Sequence, residues 1–165
     1  MKYLILTASV NQPATHISPT GNSVHVKEFA DGITINSPVM ILTSLSGYVP
    51  LSELQTKQFV AVAKATDQYN RAVAKGTTVT DPTNLSARIT LASADGDRNN
   101  FTQLLAHLTN AGTADTESIT IADLTGTLHT MTVKQFKKLM IAYGHAYYAM
   151  WTALQQQIAT AGSTV

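Results

Sequence analysis

The chain has 165 residues, of which 44% are hydrophobic and only 13% charged, with 11 Lys and Arg against 10 Asp and Glu. This near-neutral balance excludes the basic footprint by which proteins hold nucleic acid or an anionic membrane surface, and the lack of cysteine excludes disulfides, thiolate metal sites and thiol nucleophiles. The apolar content suffices for a core in one domain or two small ones, and a surface rich in threonine hydroxyls and amides costs less to desolvate against a partner than one of Lys and Glu.

The first element is a strand over residues 3–10, "YLILTASV", bounded by Asn11, Gln12 and Pro13. Its apolar run is too short for a signal peptide, and no segment approaches the roughly 18 apolar residues of a membrane span, so the expectation is a soluble product made in the cytoplasm. A polar loop follows to Asn22. "VHVKEF" and "ITI" alternate around Asp31-Gly32, a tight-turn pair, and are expected to form a hairpin. "VMILTSL" after Pro38 reads as a strand buried on both faces.

The period changes after Pro50. Ser52 and Gln55 have capping-box spacing, and Phe59, Val62, Thr66, Tyr69 and Val73 step by three or four residues up to Gly76, a helix stop. "TTVTDPTNLS" has few apolar anchors and an Asp-Pro, so it reads as a connector. It divides an N-terminal β-rich sub-domain, 1–79, from a second sub-domain, 80–165. "ARITLAS" is a strand. A helix at Arg98 to Asn110 carries Phe101, Leu104, Leu105 and Leu108 on one stripe, and Asp97 or a neighbour is expected to cap it. "SITIADL" is a further strand, and "TGTLHTM" leads by a turn or short strand into the last helix.

That helix spans about Thr132 to Ala161, with Thr132 and Gln135 as its capping box. Phe136, Met140, Tyr143, Tyr147, Met150, Trp151 and Leu154 form a seam stepping by four and three, which marks them as the expected oligomer interface. At about 1.5 Å per residue the helix runs about 45 Å, long for so small a chain.

Lys-Gln-Phe occurs twice, at residues 57–59 and 134–136, each time just inside a capped helix that follows a strand and a glycine turn. Two readings stay open. One is a partial internal repeat that places Phe59 on Phe136; the other is two unrelated amphipathic helices that begin alike.

The second half, residues 85–161, carries a strand before "DRNNFTQLLAHLTNAG", then "ITIADLTGTLHTMT", then "MTVKQFKKLMIAYGHAYYAMWTALQQQIA". In Asp97-Arg98, Met131-Thr132, Phe136 and His145 it resembles a small domain of unknown function carried by tailed-phage tail-fibre and fibre-assembly proteins. A Trp that this family often has before the turn is missing here, the sole Trp being Trp151. The resemblance implies a virion role in the tail, with other phage tail proteins as partners, and it brings no catalytic residue with it.

The remaining signals are weak. "ADGDRNN" starts like a calcium loop, but Asn100 and Ala106 stand where glycine and glutamate are needed. His16, His25, His107, His129 and His145 form no i, i+4 pair, which leaves a His145 cluster on a symmetry axis as the one metal arrangement to consider. No Gly-x-Ser-x-Gly elbow or phosphate loop is present.

The sequence therefore reads as an α+β fold of small antiparallel sheets against helices with a long amphipathic C-terminal helix. The expected role is a non-enzymatic structural or adaptor protein of a phage tail, at the baseplate, tail tip or fibre attachment, with no cofactor and no metal. It would be made in the host cytoplasm, end in the virion and self-associate, a trimer being favoured by analogy with fibres. A fibre-assembly chaperone and a carbohydrate-binding module using the tyrosine cluster are the alternatives.

Overall fold

The computed structural model describes residues 2–29 and 40–163. The fold is α+β, with three helices and small antiparallel sheets among the described residues. The expected Asp31-Gly32 turn and "ITI" strand lie outside the described residues. Two compact units are formed, Met1–Thr66 with Gln156–Val165, and Asp67–Gln155. Both divides fall inside helices, whereas the sequence reading used the connector near residue 80.

Among the described residues the first unit holds a five-stranded sheet ordered β4-β1-β3-β2-β5, with β1 at Lys2–Thr7, β2 at His16–Ile17, β3 at Ser23–Phe29, β4 at Met40–Leu42 and β5 at Val49–Pro50. Ile5 of β1 lies opposite Val26 and Met40 on its two neighbours, so an apolar row crosses the sheet. The expectation that "VMILTSL" is buried on both faces is corrected: among the described residues β4 is an edge strand, with Met40 59% and Ile41 42% exposed. A continuous apolar run signals burial only where other elements cover both faces of the sheet.

Helix α1, Glu53–Ala74, begins with the expected capping box: Ser52 N donates to Gln55 Oε1 at 2.9 Å, and Gln55 N donates to Ser52 Oγ at 3.2 Å. Its start is tied to the sheet region by Thr56 Oγ1 donating to the Ala14 carbonyl at 3.2 Å. Past its end, Gly76 adopts φ 77°, and a Cβ there would lie 2.6 Å from the Leu91 carbonyl oxygen. Glycine is thus required twice over, by conformation and by space.

The second unit repeats one small plan. Strands β6, Thr77–Thr80, and β7, Arg88–Leu91, form a hairpin that leads to α2, Asp95–Asn110. Strands β8, Ser118–Ala122, and β9, Leu128–Thr132, form a second hairpin that leads to α3, Val133–Ser163. In each hairpin a threonine pair bonds across the strands, Thr78 with Thr90 at 2.8 Å and Thr120 with Thr130 at 2.9 Å. Each has an Asp-x-Thr turn as well, in which Asp81 or Asp123 accepts from the backbone and hydroxyl of Thr83 or Thr125. The stretch read as a connector is therefore half of a hairpin. Of its apolar residues Val79 is buried and Leu85 is exposed, and the buried Thr77 shares a hydroxyl bond with Ser93 at 2.6 Å.

The twin Lys-Gln-Phe triplets do not mark equivalent places. Both helices carry the capping box, Thr132 N donating to Gln135 Oε1 at 2.9 Å in α3. But α1 follows a two-residue strand of the five-stranded sheet, and α3 follows a two-stranded hairpin. Phe59 is half-buried, while Phe136 is fully buried in the second unit's core.

That core gathers Val79, Ile89 and Leu91 from the first hairpin, Ile121 and Met131 from the second, Leu108 from α2, and Val133, Phe136, Leu139, Met140 and Tyr143 from α3. The expected α2 stripe is in place, with Phe101, Leu104 and Leu105 packed beside Leu108. The expected side-chain cap of α2 is not. Its N-cap is Ala94, with no side-chain bond to the free amides, and the helix starts at Asp95, one turn earlier than Arg98. Aspartates in that first turn act on the helix dipole instead.

Candidate functional site

The seam expected at a subunit interface divides into two parts. Phe136, Met140 and Tyr143 are at most 8% exposed and belong to the chain's own core, so they are not available to a second chain in this fold. Tyr147, Met150 and Leu154 are half-buried, and Trp151 is 42% exposed. The 31 residues of α3 make it about 46 Å long at about 1.5 Å per residue. Its length is used by both compact units, so length alone does not call for a partner chain.

Where the seam leaves the core, three helices of the second unit bring aromatic and charged groups together. Tyr69 from α1 meets Tyr147 from α3 edge-on, with centroids 6.5 Å apart, and their hydroxyls are hydrogen bonded to each other. Arg98, one turn into α2, lays its guanidinium over the Tyr147 ring, 4.1 Å from the centroid, and pairs with Asp95 one turn earlier. Tyr148 and Trp151 stack on each other at 5.8 Å and 27°. These groups and Leu154 line a groove of about 590 Å³.

One turn before Tyr147 on α3, Tyr143 donates to the Ala92 carbonyl at 2.8 Å and Phe101 meets its ring edge-on at 5.8 Å. Burial pushes the Tyr69 phenol up to about 12, helped by the hydrogen bond with Tyr147. Burial also pushes the Tyr143 phenol up. Both stay neutral hydroxyls at physiological pH. Burial would lower Arg98, but the Asp95 carboxylate outweighs it and the guanidinium stays charged.

A second polar cluster lies at the hairpin turns. His129 Nε2 is 3.1 Å from Asp123 Oδ2, and Asp123 Oδ1 accepts from Thr125 N, Thr125 Oγ1 and Thr127 N at 2.8, 2.7 and 2.9 Å. The Thr125 hydroxyl first, then His129, hold the Asp123 carboxyl well below the usual carboxylate range. Burial would raise Asp81, but the hydroxyl and backbone of Thr83 outweigh it and the carboxyl lies below its ordinary value. These carboxylates are spent on turn geometry. Among the described residues no group of three His, Cys, Asp or Glu side chains is arranged to hold a metal. His145, the candidate for an axial cluster, is solvent-exposed, as is His107.

Sequence reasoning placed Tyr147, Trp151 and Leu154 together by helical spacing but missed Tyr69 and the ring contact of Arg98. The Asp95 to Arg98 spacing is a helix ion-pair signal that was legible. No family model matches the chain, and no curated protein or solved structure matches it either.

Proposed function

We propose that this chain is a non-enzymatic structural or adaptor protein of a bacteriophage tail, working at the baseplate, tail tip or fibre attachment through protein–protein contacts and self-association. The observation that carries the reading is the apolar excess of α3. Its core face is filled by Val133, Phe136 and Leu139, all at most 1% exposed, yet Ile141 on another face is 60% exposed. A surface helix serving a lone domain turns polar residues outward. Leu128 at the start of β9 and Leu85 in the first hairpin's loop, 70% and 82% exposed, add to a contact-ready surface on a weakly charged chain.

The resemblance supports the tail assignment through residues with clear structural work. Met131 and Phe136 are core residues, Thr132 caps α3, and Arg98 clamps Tyr147. Mass spectrometry of purified particles tests the proposal: the chain is expected in mature virions at a fixed ratio to other tail proteins. Its absence from particles, with abundance only in infected-cell lysate, would sink the structural role and leave the assembly chaperone.

A further inference from the structure

The groove beside Tyr147 has a chemistry that protein–protein adaptation does not require. Its apolar part is a pair of exposed rings, Tyr148 at 64% and Trp151 at 42%, stacked on each other. Its polar part is a guanidinium and a carboxylate side by side. Among the described residues the Arg98 guanidinium makes one hydrogen bond, to Asp95, and its Nε is buried without a partner. The Asp95 side chain is 90% exposed, so its acceptor capacity faces outward.

We propose that this groove binds a neutral oligosaccharide, one sugar ring lying against the Tyr148–Trp151 pair while adjacent hydroxyls bridge Asp95 and Arg98. Each feature selects that class. An aromatic face accepts the C–H side of a pyranose ring, and a hydroxyl both donates and accepts, so one ligand satisfies the carboxylate and the guanidinium together. A carboxylate ligand would meet the outward-facing Asp95, and a cationic one would meet Arg98. The volume of about 590 Å³ lies in the usual range of small-ligand sites, roughly 300 to 1,000 Å³.

The geometry disfavours a protein occupant. All the walls are helical, from α1, α2 and α3, so there is no strand edge for an extended peptide to pair with. An amphipathic helix, or a second copy of this chain, would cover the Asp95–Arg98 pair with apolar surface and leave its free donors and acceptors unpaired. A saccharide replaces the water on those groups with hydroxyls.

Trp151 is the only tryptophan in the chain, so its emission reports on the groove. The full-length protein is titrated with neutral hexose and N-acetylhexosamine oligosaccharides, with acidic oligosaccharides and an amphipathic helical peptide run in parallel. The expected result is a saturable change in Trp151 emission with a neutral oligosaccharide. Affinity should drop by about tenfold or more in Tyr148→Ala and in Asp95→Asn, with unchanged circular dichroism, since both side chains are exposed. No neutral oligosaccharide binding up to about 10 mM, binding of the acidic sugars or the peptide alone, or full affinity in both variants would each overturn the proposal. None of these outcomes bears on whether the chain is present in virions.

Discussion

The hydroxyls of Tyr69 and Tyr147 bond to each other, joining two residues 78 positions apart on α1 and α3. Arg98 covers the Tyr147 ring, so removing Tyr147 takes one contact from Tyr69 and one from Arg98 at once. Tyr147→Phe is expected to cost about 1 kcal/mol of unfolding free energy, the value of one hydrogen bond. Tyr147→Ala should cost more, because the ring beneath the guanidinium goes too. A urea-unfolding double-mutant cycle with Tyr69→Phe checks this, and strict additivity would show that the hydroxyls do not interact.

The same pair sets an alkaline limit. Burial and the bond to Tyr147 raise the folded Tyr69 pKa to about 12, above the ordinary tyrosine value of about 10. A raised folded pKa contributes stability that is fully present below the unfolded value and is lost as pH rises through the folded value. Wild-type stability should therefore fall between about pH 10 and 12. Tyr69→Phe should remove part of that dependence, and identical alkaline slopes in the two proteins would contradict it.

Acid acts at the other cluster. Asp123 has a depressed folded pKa, so its contribution is present above about pH 4 and is lost as pH falls through the folded value. Asp123→Asn should be the less stable protein at pH 7, and the gap to wild type should narrow steadily below about pH 4. Thermal melts across that interval provide the check. A constant gap would mean that turn hydrogen bonding, not charge, carries the residue's effect.

Gly76→Ala should destabilise the second unit by at least about 1 to 2 kcal/mol, the ordinary cost of a left-handed alanine, because a clash with the Leu91 carbonyl adds to it. Gly96→Ala is the control, since nothing lies within 4 Å of a Cβ there. Equal melting temperatures for the two variants would refute the close approach.

The two Lys-Gln-Phe phenylalanines give a further contrast. Phe136→Ala removes a fully buried ring and should cost about 3 to 5 kcal/mol. Phe59→Ala removes a half-buried one and should cost distinctly less. Equal losses would revive the idea that the two helices begin equivalent units.

What could be read from the sequence was what is local in the chain. Capping boxes at Ser52–Gln55 and Thr132–Gln135 located two helices, and the spacing of Phe101, Leu104, Leu105 and Leu108 located the core face of the third. Strand β6 escaped because Thr77 is buried by a hydroxyl bond to Ser93, and a threonine satisfied by a distant serine leaves no trace in hydropathy. The exposure of β4 escaped because an apolar run does not announce its neighbours. The groove was half legible. Helical spacing aligned Tyr147, Trp151 and Leu154, but the meeting of Tyr69, Arg98 and Tyr147 depends on how three helices pack.

The proposed self-association is read directly from the mass of the chain in solution. Light scattering at micromolar concentration should give an oligomer, a trimer being favoured. Ile141→Asp should reduce it to monomer without loss of helix signal, since that side chain is 60% exposed. Met140→Asp would instead damage the core, where Met140 is 8% exposed. A strict monomer for the wild-type chain would rule out self-association, and an oligomer untouched by Ile141→Asp would rule out this face of α3 as its contact.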